Sequence, residues 1–286
     1  MKAAENPLEK YYTIGEVSKI CNISTKALRH YEQIGVIVPD FVSPETGYRY
    51  YTRATLLLVP IVKYYKQMGF KLEEMQSLVS GKSHYYMEHA FHKKMEELTE
   101  REQEIARCRI SVSDWHDMLD EARVVKMNQI SQPSTKYLPA VTYCFREQPF
   151  HYDYFESIIN IDWEDYRQEM KAPITGPVIL CFASYQEKMQ GLSTTARVMQ
   201  KPIYPYDEKL ALISFPSRLV ISAYHIGNLN SVDQTYEKLV AWAKENKYQC
   251  SGESYERYLV DYWTTQNCDE FITEVILPVD CNGARK

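Results

Sequence analysis

One carboxylate stands out among the side chains of this 286-residue chain that could do chemistry. In "YERYLVDYW", the alternation of a β-strand places Glu256 on the same face as Tyr258 and Tyr262. A carboxylate that points into an apolar interior needs a cation, a proton or water, because a buried unpaired charge is costly. Two cationic partners remain open: an arginine elsewhere in the chain, or a cationic aromatic ligand that the tyrosine rings would also attract.

A second glutamate, Glu274, lies in the strand-like run "FITEVILPV". Either glutamate could activate a water molecule with the help of Cys144, His151 or His225, which is the hydrolase hypothesis. The chain has no nucleophile elbow and no glycine-rich phosphate loop, so we expect a protein that is not an enzyme and needs no cofactor. Its seven scattered cysteines include no C-x-x-C pair, and they predict reduced thiols rather than disulfides or a metal site.

Basic side chains are concentrated near the amino terminus. The chain has a net charge of −5, yet residues 11–71 contain eight lysines and arginines against four acidic residues. This asymmetry indicates that the first segment, and not the acidic remainder, meets a polyanion.

Two short helices with a tight turn between them would present the first of these cations. Thr13 begins the capping-box pattern "TIGE", and Ser24 is a good N-cap for a second helix. Lys26, Arg29 and His30 fall off the apolar stripe of that second helix and face outward. This pattern predicts a helix-turn-helix, whose second helix enters the DNA major groove.

A β-hairpin wing and a third helix follow. In "VPDFVSPETGYRYY", strand alternation points Arg49 away from Tyr48 and Tyr50, so we expect Arg49 to face phosphate while these tyrosines pack inward. The third helix begins near Thr52 and contains Pro60, which removes one backbone hydrogen bond at a cost of roughly 3 kcal/mol unless the helix kinks. For the whole unit we expect DNA-facing side chains at Thr25, Lys26, Arg29, His30, Tyr31, Arg49, Lys66 and Lys71.

One heptad seam runs from Phe91 to Ala122 and predicts a coiled coil between two copies of the chain. Lys94, Arg101 and Cys108 also fall on this seam. The alternative is a long helix that lies on its own domain, but "KKMEELTEREQEIARCR" is charged nearly all round, and one narrow stripe would bury little there. The expected dimer contacts are Phe91, Leu98, Ile105, Val112, Trp115 and Leu119.

The rest of the sequence consists of short strand-like runs and two helical patterns, near 152–171 and 231–246. Their order is strand, helix, strands, and then the same again, which predicts two related halves. The expected fold class is α+β with three domains. They are a winged helix-turn-helix (1–82), a coiled-coil dimerisation helix (83–128), and an α+β effector-binding domain built from two strand-helix-strand-strand halves (129–286).

Motifs at both ends of the chain resemble known families. "YTIGEVSKICNIS", "KALRHYEQIGVI", "ETGYRYY" and "MGFKLEEMQSLV" cover residues 11–80 almost continuously and resemble the MerR family of bacterial transcription regulators. The second half resembles the GyrI-type effector-binding domain of multidrug-responsive members of that family, through "YHIGNLNSVDQTYEKLVAWAKENKY", "YERYLVDY" and "FITEVILPV".

This resemblance implies a homodimer, joined by an antiparallel coiled coil, that binds a promoter with an elongated spacer and distorts it so that RNA polymerase can use it. It also implies that Glu256, in the matching "YE" motif, binds the effector. Three features depart from the family pattern. His30 stands where a tyrosine is usual, Pro60 interrupts a helix that is normally regular, and the lone Cys108 does not reproduce the cysteines of metal-sensing members.

Together these observations predict a cytoplasmic, ligand-responsive transcription regulator, because the sequence has no run of about 18 apolar residues and no signal-peptide region. The expected partners are promoter DNA with a pseudo-palindromic site, RNA polymerase on that promoter, a cationic lipophilic effector and a second copy of the chain, with no membrane. A second domain that only recruits a protein partner is the alternative. The expected ligand contacts are Glu256, Glu274, Tyr143, Tyr224, Tyr258, Tyr262 and Phe271.

Overall fold

The computed structural model of the chain describes residues 10–80 and 83–279. It divides into two compact units, Met1–Gln103 and Glu104–Lys286. Six of the seven cysteines lie within the described residues and are free thiols. Cys281 lies outside these residues, as do the outer ends of the first and third predicted domains.

The first unit contains the predicted helix-turn-helix and wing. Thr13 Oγ1 accepts the Glu16 N–H at 3.3 Å, and the Glu16 carboxylate accepts the Thr13 N–H at 2.7 Å, so the predicted capping box is formed. Ser24 Oγ accepts the Ala27 N–H at 3.1 Å and starts the second helix. The elements are β1 (Tyr12–Thr13), α1 (Ile14–Ile20), α2 (Thr25–Gln33), β2 (Phe41–Val42), β3 (Arg49–Tyr51), α3 (Arg53–Gln67) and α4 (Leu72–Val79).

Helix α3 contains the predicted proline in its interior. Pro60 is exposed and has no N–H to donate to the carbonyl of Leu56, four residues earlier. The Cys21 thiol of the neighbouring loop donates a weak hydrogen bond to that carbonyl, with Sγ and O 3.9 Å apart. This contact offsets part of the lost bond, and α3 runs as one helix from Arg53 to Gln67.

The long helix predicted for the coiled coil is α5, His84–Asn128. Its first turns pack on the core of the first unit through Met87 and Phe91, and its last turns contribute Met118 and Val125 to a core of the second unit. Lys94 does not belong to an open seam, because its ammonium is buried against Phe70, Glu74 and Glu97 of the first unit. Neither α5 nor any other helix of the described residues is long and apolar enough to cross a membrane.

The second unit is built on one eight-stranded sheet whose neighbouring strands are all antiparallel, in the order β4-β9-β11-β10-β6-β7-β5-β8. Its strands are β4 (Ser134–Leu138), β5 (Val141–Pro149), β6 (Ile174–Phe182), β7 (Thr195–Pro202), β8 (Leu212–Phe215), β9 (Arg218–Ile226), β10 (Ser254–Val260) and β11 (Ile272–Pro278). Its helices, after the end of α5, are α6 (Tyr154–Ile158), α7 (Ile161–Glu169), α8 (Tyr185–Met189) and α9 (Asp233–Glu245).

The predicted duplication is confirmed at the level of topology. One half is β5-α7-β6-β7 and the other is β9-α9-β10-β11, and the two halves meet where β6 pairs with β10. Two further strands and one helix were not predicted: β4 and β8 at the sheet edges, and the short α8. Strand β7 occupies the last strand position of the predicted first half, although no run of residues was assigned to it.

The register of β10 and β11 decides which side of the sheet each charged residue faces. Glu256 lies opposite Val275, and Arg257 lies opposite Glu274. Residues directly opposite each other share a face, so Glu256 and Glu274 lie on different faces of the sheet. The face with Glu256 packs on α7 and α9 and is here called the helical face. The face with Glu274 is called the opposite face.

Replacing Pro60 with Ala should raise the free energy of unfolding of the first unit by about 1–3 kcal/mol. Alanine restores the N–H that the Leu56 carbonyl lacks and removes the clash of the proline ring within the helix. Urea denaturation of the full chain, followed by circular dichroism, measures this change. Leu57→Ala, at an exposed position of the same helix, is the control and should change stability by less than about 0.5 kcal/mol. An unchanged or lowered unfolding free energy for Pro60→Ala would contradict the helix-strain argument.

Candidate DNA-binding surface and candidate effector site

The second helix of the helix-turn-helix presents four of the predicted DNA-facing residues to solvent: Thr25, Lys26, Arg29 and His30. Tyr31 is different, because it lies on the apolar stripe of α2 and is 4% exposed in the core of the first unit. The prediction that its side chain faces DNA does not fit this position.

The wing places Arg49 differently from the prediction. Strand alternation puts Arg49 and Tyr51 on one side of β3, and this side faces the core, where Tyr51 is fully buried. Tyr48, which was predicted to pack inward, is 60% exposed. Arg49 Nε donates a hydrogen bond to the Glu32 carboxylate of α2 at 2.5 Å, and this bond and the charge of Glu32 raise the pKa of Arg49. Lys66 and Lys71, the other two predicted cations, are exposed.

In the second unit Glu256 is fully buried on the helical face and has three polar neighbours. The hydroxyls of Tyr236 and Tyr258 donate hydrogen bonds to its carboxylate at 3.0 Å and 2.6 Å. Burial, and then the charge of Glu256, raises the pKa of both tyrosines well above the ordinary value, so both hydroxyls remain donors. The third neighbour is the Lys188 ammonium, 3.5 Å away. The intrachain salt bridge therefore exists, with a lysine in place of the arginine that the sequence analysis considered.

Glu274 is fully buried on the opposite face and also has cationic partners. It accepts hydrogen bonds from Lys136 of β4 and from Arg257 of β10, and Arg257 also pairs with Glu121 of α5. Burial raises the pKa of Glu274, but the charges of Arg257 and Lys136 outweigh burial and lower it below the ordinary value. Tyr224 lies on this face as well, and its hydroxyl donates to Glu121 at 2.7 Å.

The predicted ligand contacts are therefore divided between the two faces. Glu256 and Tyr258 lie on the helical face, where Tyr262 and Phe271 also pack, with ring centroids 4.7 Å apart. Glu274 and Tyr224 lie on the opposite face, where Tyr143 borders two cavities of about 220 and 240 Å³. The seven residues thus do not form one pocket.

A larger cavity, of about 380 Å³, opens on the helical face. Its wall includes three indole rings, those of Trp115, Trp163 and Trp263. Tyr258 is the only residue among the seven predicted ligand contacts that lines it. Trp115 comes from α5, together with Met118, so the last third of the long helix forms part of the cavity wall.

Two polar groups of this cavity lack a full set of partners. Asp261 is 4% exposed, and the Trp263 N–H donates to its carboxylate at 2.9 Å. Burial raises the pKa of Asp261 to about 6, and no lysine, arginine or histidine of the described residues pairs with it. Thr175 is 1% exposed, and its hydroxyl has no hydrogen-bond partner among the residues that the structure describes. A ligand that fills the cavity would meet both groups.

Sequence reasoning missed Lys188, Asp261 and Thr175. Lys188 lies on a five-residue helix, too short for a periodic pattern, and Asp261 follows the last residue of β10 in a turn. The motif "YERYLVDYW" contains Asp261, but strand alternation assigned it to the more polar face. The missed signal was the end of the strand at Val260, because beyond that residue alternation no longer fixes side-chain direction.

The proposed hydrolytic residues give no support to an enzyme. Burial raises the pKa of the Cys144 thiol to about 11, which disfavours the nucleophilic thiolate. The His225 ring is hydrogen-bonded to the Thr235 hydroxyl and the Asn228 carbonyl. Within 10–80 and 83–279, no group of three histidine, cysteine or acidic side chains is arranged to hold a metal ion.

Two family models match the chain. Residues 12–82 match a MerR HTH family regulatory protein, and residues 132–280, more than half of the chain, match a GyrI-like small molecule binding domain. The first description is of a regulatory protein and the second of a small-molecule-binding domain.

The chain is also similar to individual regulators and to a solved structure. The Multidrug-efflux transporter 2 regulator of Bacillus subtilis is 22% identical over 95% of this chain and 97% of that protein. The Multidrug-efflux transporter 1 regulator of the same organism is 50% identical, but over only 24% of each chain. Among solved structures, the EcmrR chain of a cryo-EM EcmrR–DNA complex is 19% identical, with a TM-score of 0.45. The match spans 94% of this chain and 99% of the EcmrR chain.

From the two family matches, the chain belongs to the MerR family of DNA-binding regulators and carries a carboxyl-terminal GyrI-like small-molecule-binding domain.

Proposed function

We propose that this regulator acts on promoter DNA as a homodimer and responds to a lipophilic cation that binds in the 380 Å³ cavity. The observation that carries the proposal is that Trp115 and Met118 of α5 form part of the cavity wall. An effector in the cavity would therefore touch the helix that continues into the DNA-binding unit. The proposal keeps the functional division into residues 1–82, 83–128 and 129–286, and it places the protein in the cytoplasm.

The chemistry of the cavity favours an aromatic cation. Three indole rings offer flat apolar surfaces and attract positive charge. Asp261, with a pKa of about 6, is mostly ionised at neutral pH and has no cation of its own among the described residues. Glu256, the carboxylate that the sequence analysis assigned to the effector, already has Lys188 beside it. We therefore propose that Asp261 recognises the positive charge of the effector.

Effector binding can change transcription only if it favours one conformation of the regulator over another. The contacts with Trp115 and Met118 supply such a bias on α5. A second connection runs from Glu121 of the same helix through Arg257 to Glu274, and so reaches strands β10 and β11. We propose that these contacts change the setting of the DNA-binding units, distort the promoter spacer and allow RNA polymerase to initiate, so that the protein is an activator.

The homodimer is supported by an exposed apolar row on α5. Leu98, Ile105, Val112 and Leu119 follow each other at intervals of seven residues, and they are 45%, 68%, 70% and 45% exposed. A heptad row of this kind is the surface that a second helix covers in a coiled coil. Phe91 and Trp115, which were also predicted as dimer contacts, are partly buried within their own units, so we assign the seam to the other four residues.

Replacing both Ile105 and Val112 with Glu should raise the dissociation constant of the dimer at least about 100-fold, because two like charges would face each other in an apolar seam. Sedimentation equilibrium at micromolar concentration measures this constant. Ile110→Glu, at an exposed apolar position on another side of α5, is the matched control and should leave the dimer intact. A wild-type chain that is monomeric under these conditions would refute the homodimer.

Replacing Lys26 with Ala should weaken binding to all DNA sequences to a similar extent and reduce the slope of log K against log[salt] by about 0.9, since one phosphate contact is lost. Fluorescence anisotropy with labelled duplexes at four salt concentrations measures the slope. Lys93→Ala removes an equal exposed charge from α5 and should leave the slope unchanged. A changed base preference with an unchanged slope would instead assign Lys26 to base recognition.

Replacing Asp261 with Asn should weaken the binding of N-methylquinolinium at least about tenfold, or 1.4 kcal/mol. The affinity for the neutral isostere 1-methylnaphthalene should fall much less. Quenching of tryptophan fluorescence in the full chain reports occupancy, because three of the four tryptophans line the cavity. For the wild type, affinity for the cation should fall as pH decreases through about 6, since protonation of Asp261 removes the attracting charge. In Asp261→Asn, the affinity for the cation should not fall near pH 6.

The exposed carboxylate of Asp165, on α7, provides the control: Asp165→Asn should affect neither probe. If Asp261→Asn lowers the affinities for the cationic and the neutral probe equally, charge recognition by Asp261 is refuted. If neither probe binds the wild type, the alternative in which the second domain recruits a protein partner is favoured.

A further inference from the structure

Lys188 is a lysine in a place where lysines are rarely found. Its side chain is 1% exposed, although it lies on a short surface helix. The ammonium is surrounded by five aromatic rings, whose centroids lie 5.1 to 5.9 Å from Nζ. The rings belong to Tyr152, Phe182, Tyr236, Tyr154 and Phe150. Rings at this distance attract a cation through their π faces, so this group of five rings is here called the aromatic cage.

Two carboxylates complete the surroundings of the ammonium. Lys188 Nζ lies 3.5 Å from Glu256 Oε1 and 3.3 Å from Asp233 Oδ1. Glu256 is fully buried, while the side chain of Asp233 is 46% exposed. Asp233 therefore marks the edge where the cage approaches solvent. The whole arrangement, a deep carboxylate behind aromatic walls with a second carboxylate at the rim, has the chemistry of a binding site for an alkylammonium ion.

We propose that Lys188 is a tethered occupant of this cation-binding cage and thereby determines the specificity of the domain. The cage binds n-alkylammonium ions when the lysine side chain is removed, and it excludes them while Lys188 is in place. This inference does not depend on the proposed effector site, because the lining of the 380 Å³ cavity includes neither Lys188 nor Glu256.

The backbone around Lys188 explains why an external cation does not compete well. Ser184 caps α8 by accepting the Glu187 N–H, and the Tyr152 hydroxyl donates to the Lys188 carbonyl at 3.2 Å. These bonds hold the start of the lysine side chain at the entrance of the cage. A group tethered by its own short side chain has an effective concentration at its site far above tens of millimolar, so a free cation at such concentrations does not displace the lysine.

The experiment uses the full chain and n-propylammonium, which supplies the three carbons and the nitrogen that Lys188→Ala removes. Loss of one partner of a buried ion pair should lower the Tm of the second unit by roughly 10 °C. We expect about 50 mM n-propylammonium to raise the Tm of Lys188→Ala by roughly 3–5 °C, and 1-propanol at the same concentration to have no such effect. The wild type should not respond to n-propylammonium.

The alkyl length of the ammonium ion and the carboxylate of Glu256 provide further controls. Ethylammonium and n-pentylammonium should rescue less than n-propylammonium, because the cage has the depth of one lysine side chain. Rescue should disappear in Lys188→Ala combined with Glu256→Gln, which keeps the shape of the cage and removes its buried charge. Equal Tm shifts in the wild type and in Lys188→Ala, or equal rescue by 1-propanol, would overturn the proposal.

A second measurement applies if Lys188→Ala does not fold. The double variant Lys188→Met with Glu256→Gln replaces both charges with neutral groups of similar size. It should melt within about 3 °C of the wild type and well above each single variant, since neither charge is then left without its partner. If the Tm decrease of the double variant equals the sum of the decreases of the two single variants, Lys188 and Glu256 are not coupled. That result would also overturn the proposal.

Discussion

The need to neutralise a buried carboxylate and the partly buried guanidinium next to it on strand β10 organises both sides of the effector domain. Glu256 and Arg257 follow each other in the chain, so the pleat of the strand sends one charge to each face of the sheet. A charge removed from water in this way is costly unless it has partners. On the helical face Glu256 is surrounded by Lys188 and two tyrosine hydroxyls. On the opposite face Arg257 lies between Glu274 and Glu121.

These two charge clusters have different relations to the long helix. The cluster around Arg257 includes Glu121, so it ties α5 directly to the central strands of the sheet. The cluster around Glu256 contacts α6, α8 and α9 through the rings near Lys188, and it reaches the large cavity only through Tyr258. The domain thus has one charged network that holds the helix and another that closes the interior of the sheet.

The sequence was sufficient to predict what depends on local periodicity. The capping box at Thr13, the N-cap at Ser24 and the alternation that buries Glu256 all rest on residues a few positions apart, and the structure shows each of them. The duplicated strand-helix-strand-strand order followed from the same patterns.

What escaped prediction depends on contacts distant in the chain. Alternation set Arg49 apart from its neighbouring tyrosines correctly, but only the packing of β3 on the core shows that the side with Arg49 is the inner one. Glu256 and Glu274 were both predicted as contacts of one ligand, but the register of β10 and β11 places them on opposite faces. Lys188 is 68 positions from Glu256, and no local pattern connects the two.

If two chains associate through the exposed heptad row of α5, as proposed, the response of the regulator depends on its own concentration. Between the residues that pack on the first unit and those that pack on the second, the helix has little tertiary support from its own chain, and its surface is largely charged. Helices in proteins take most of their stability from tertiary packing, which this segment largely lacks within its own chain. In the proposed homodimer, formation of the connecting helix and association of the two chains would therefore be coupled. Dilution of such a regulator would destabilise the helix that joins its effector domain to its DNA-binding unit, even at a constant effector concentration.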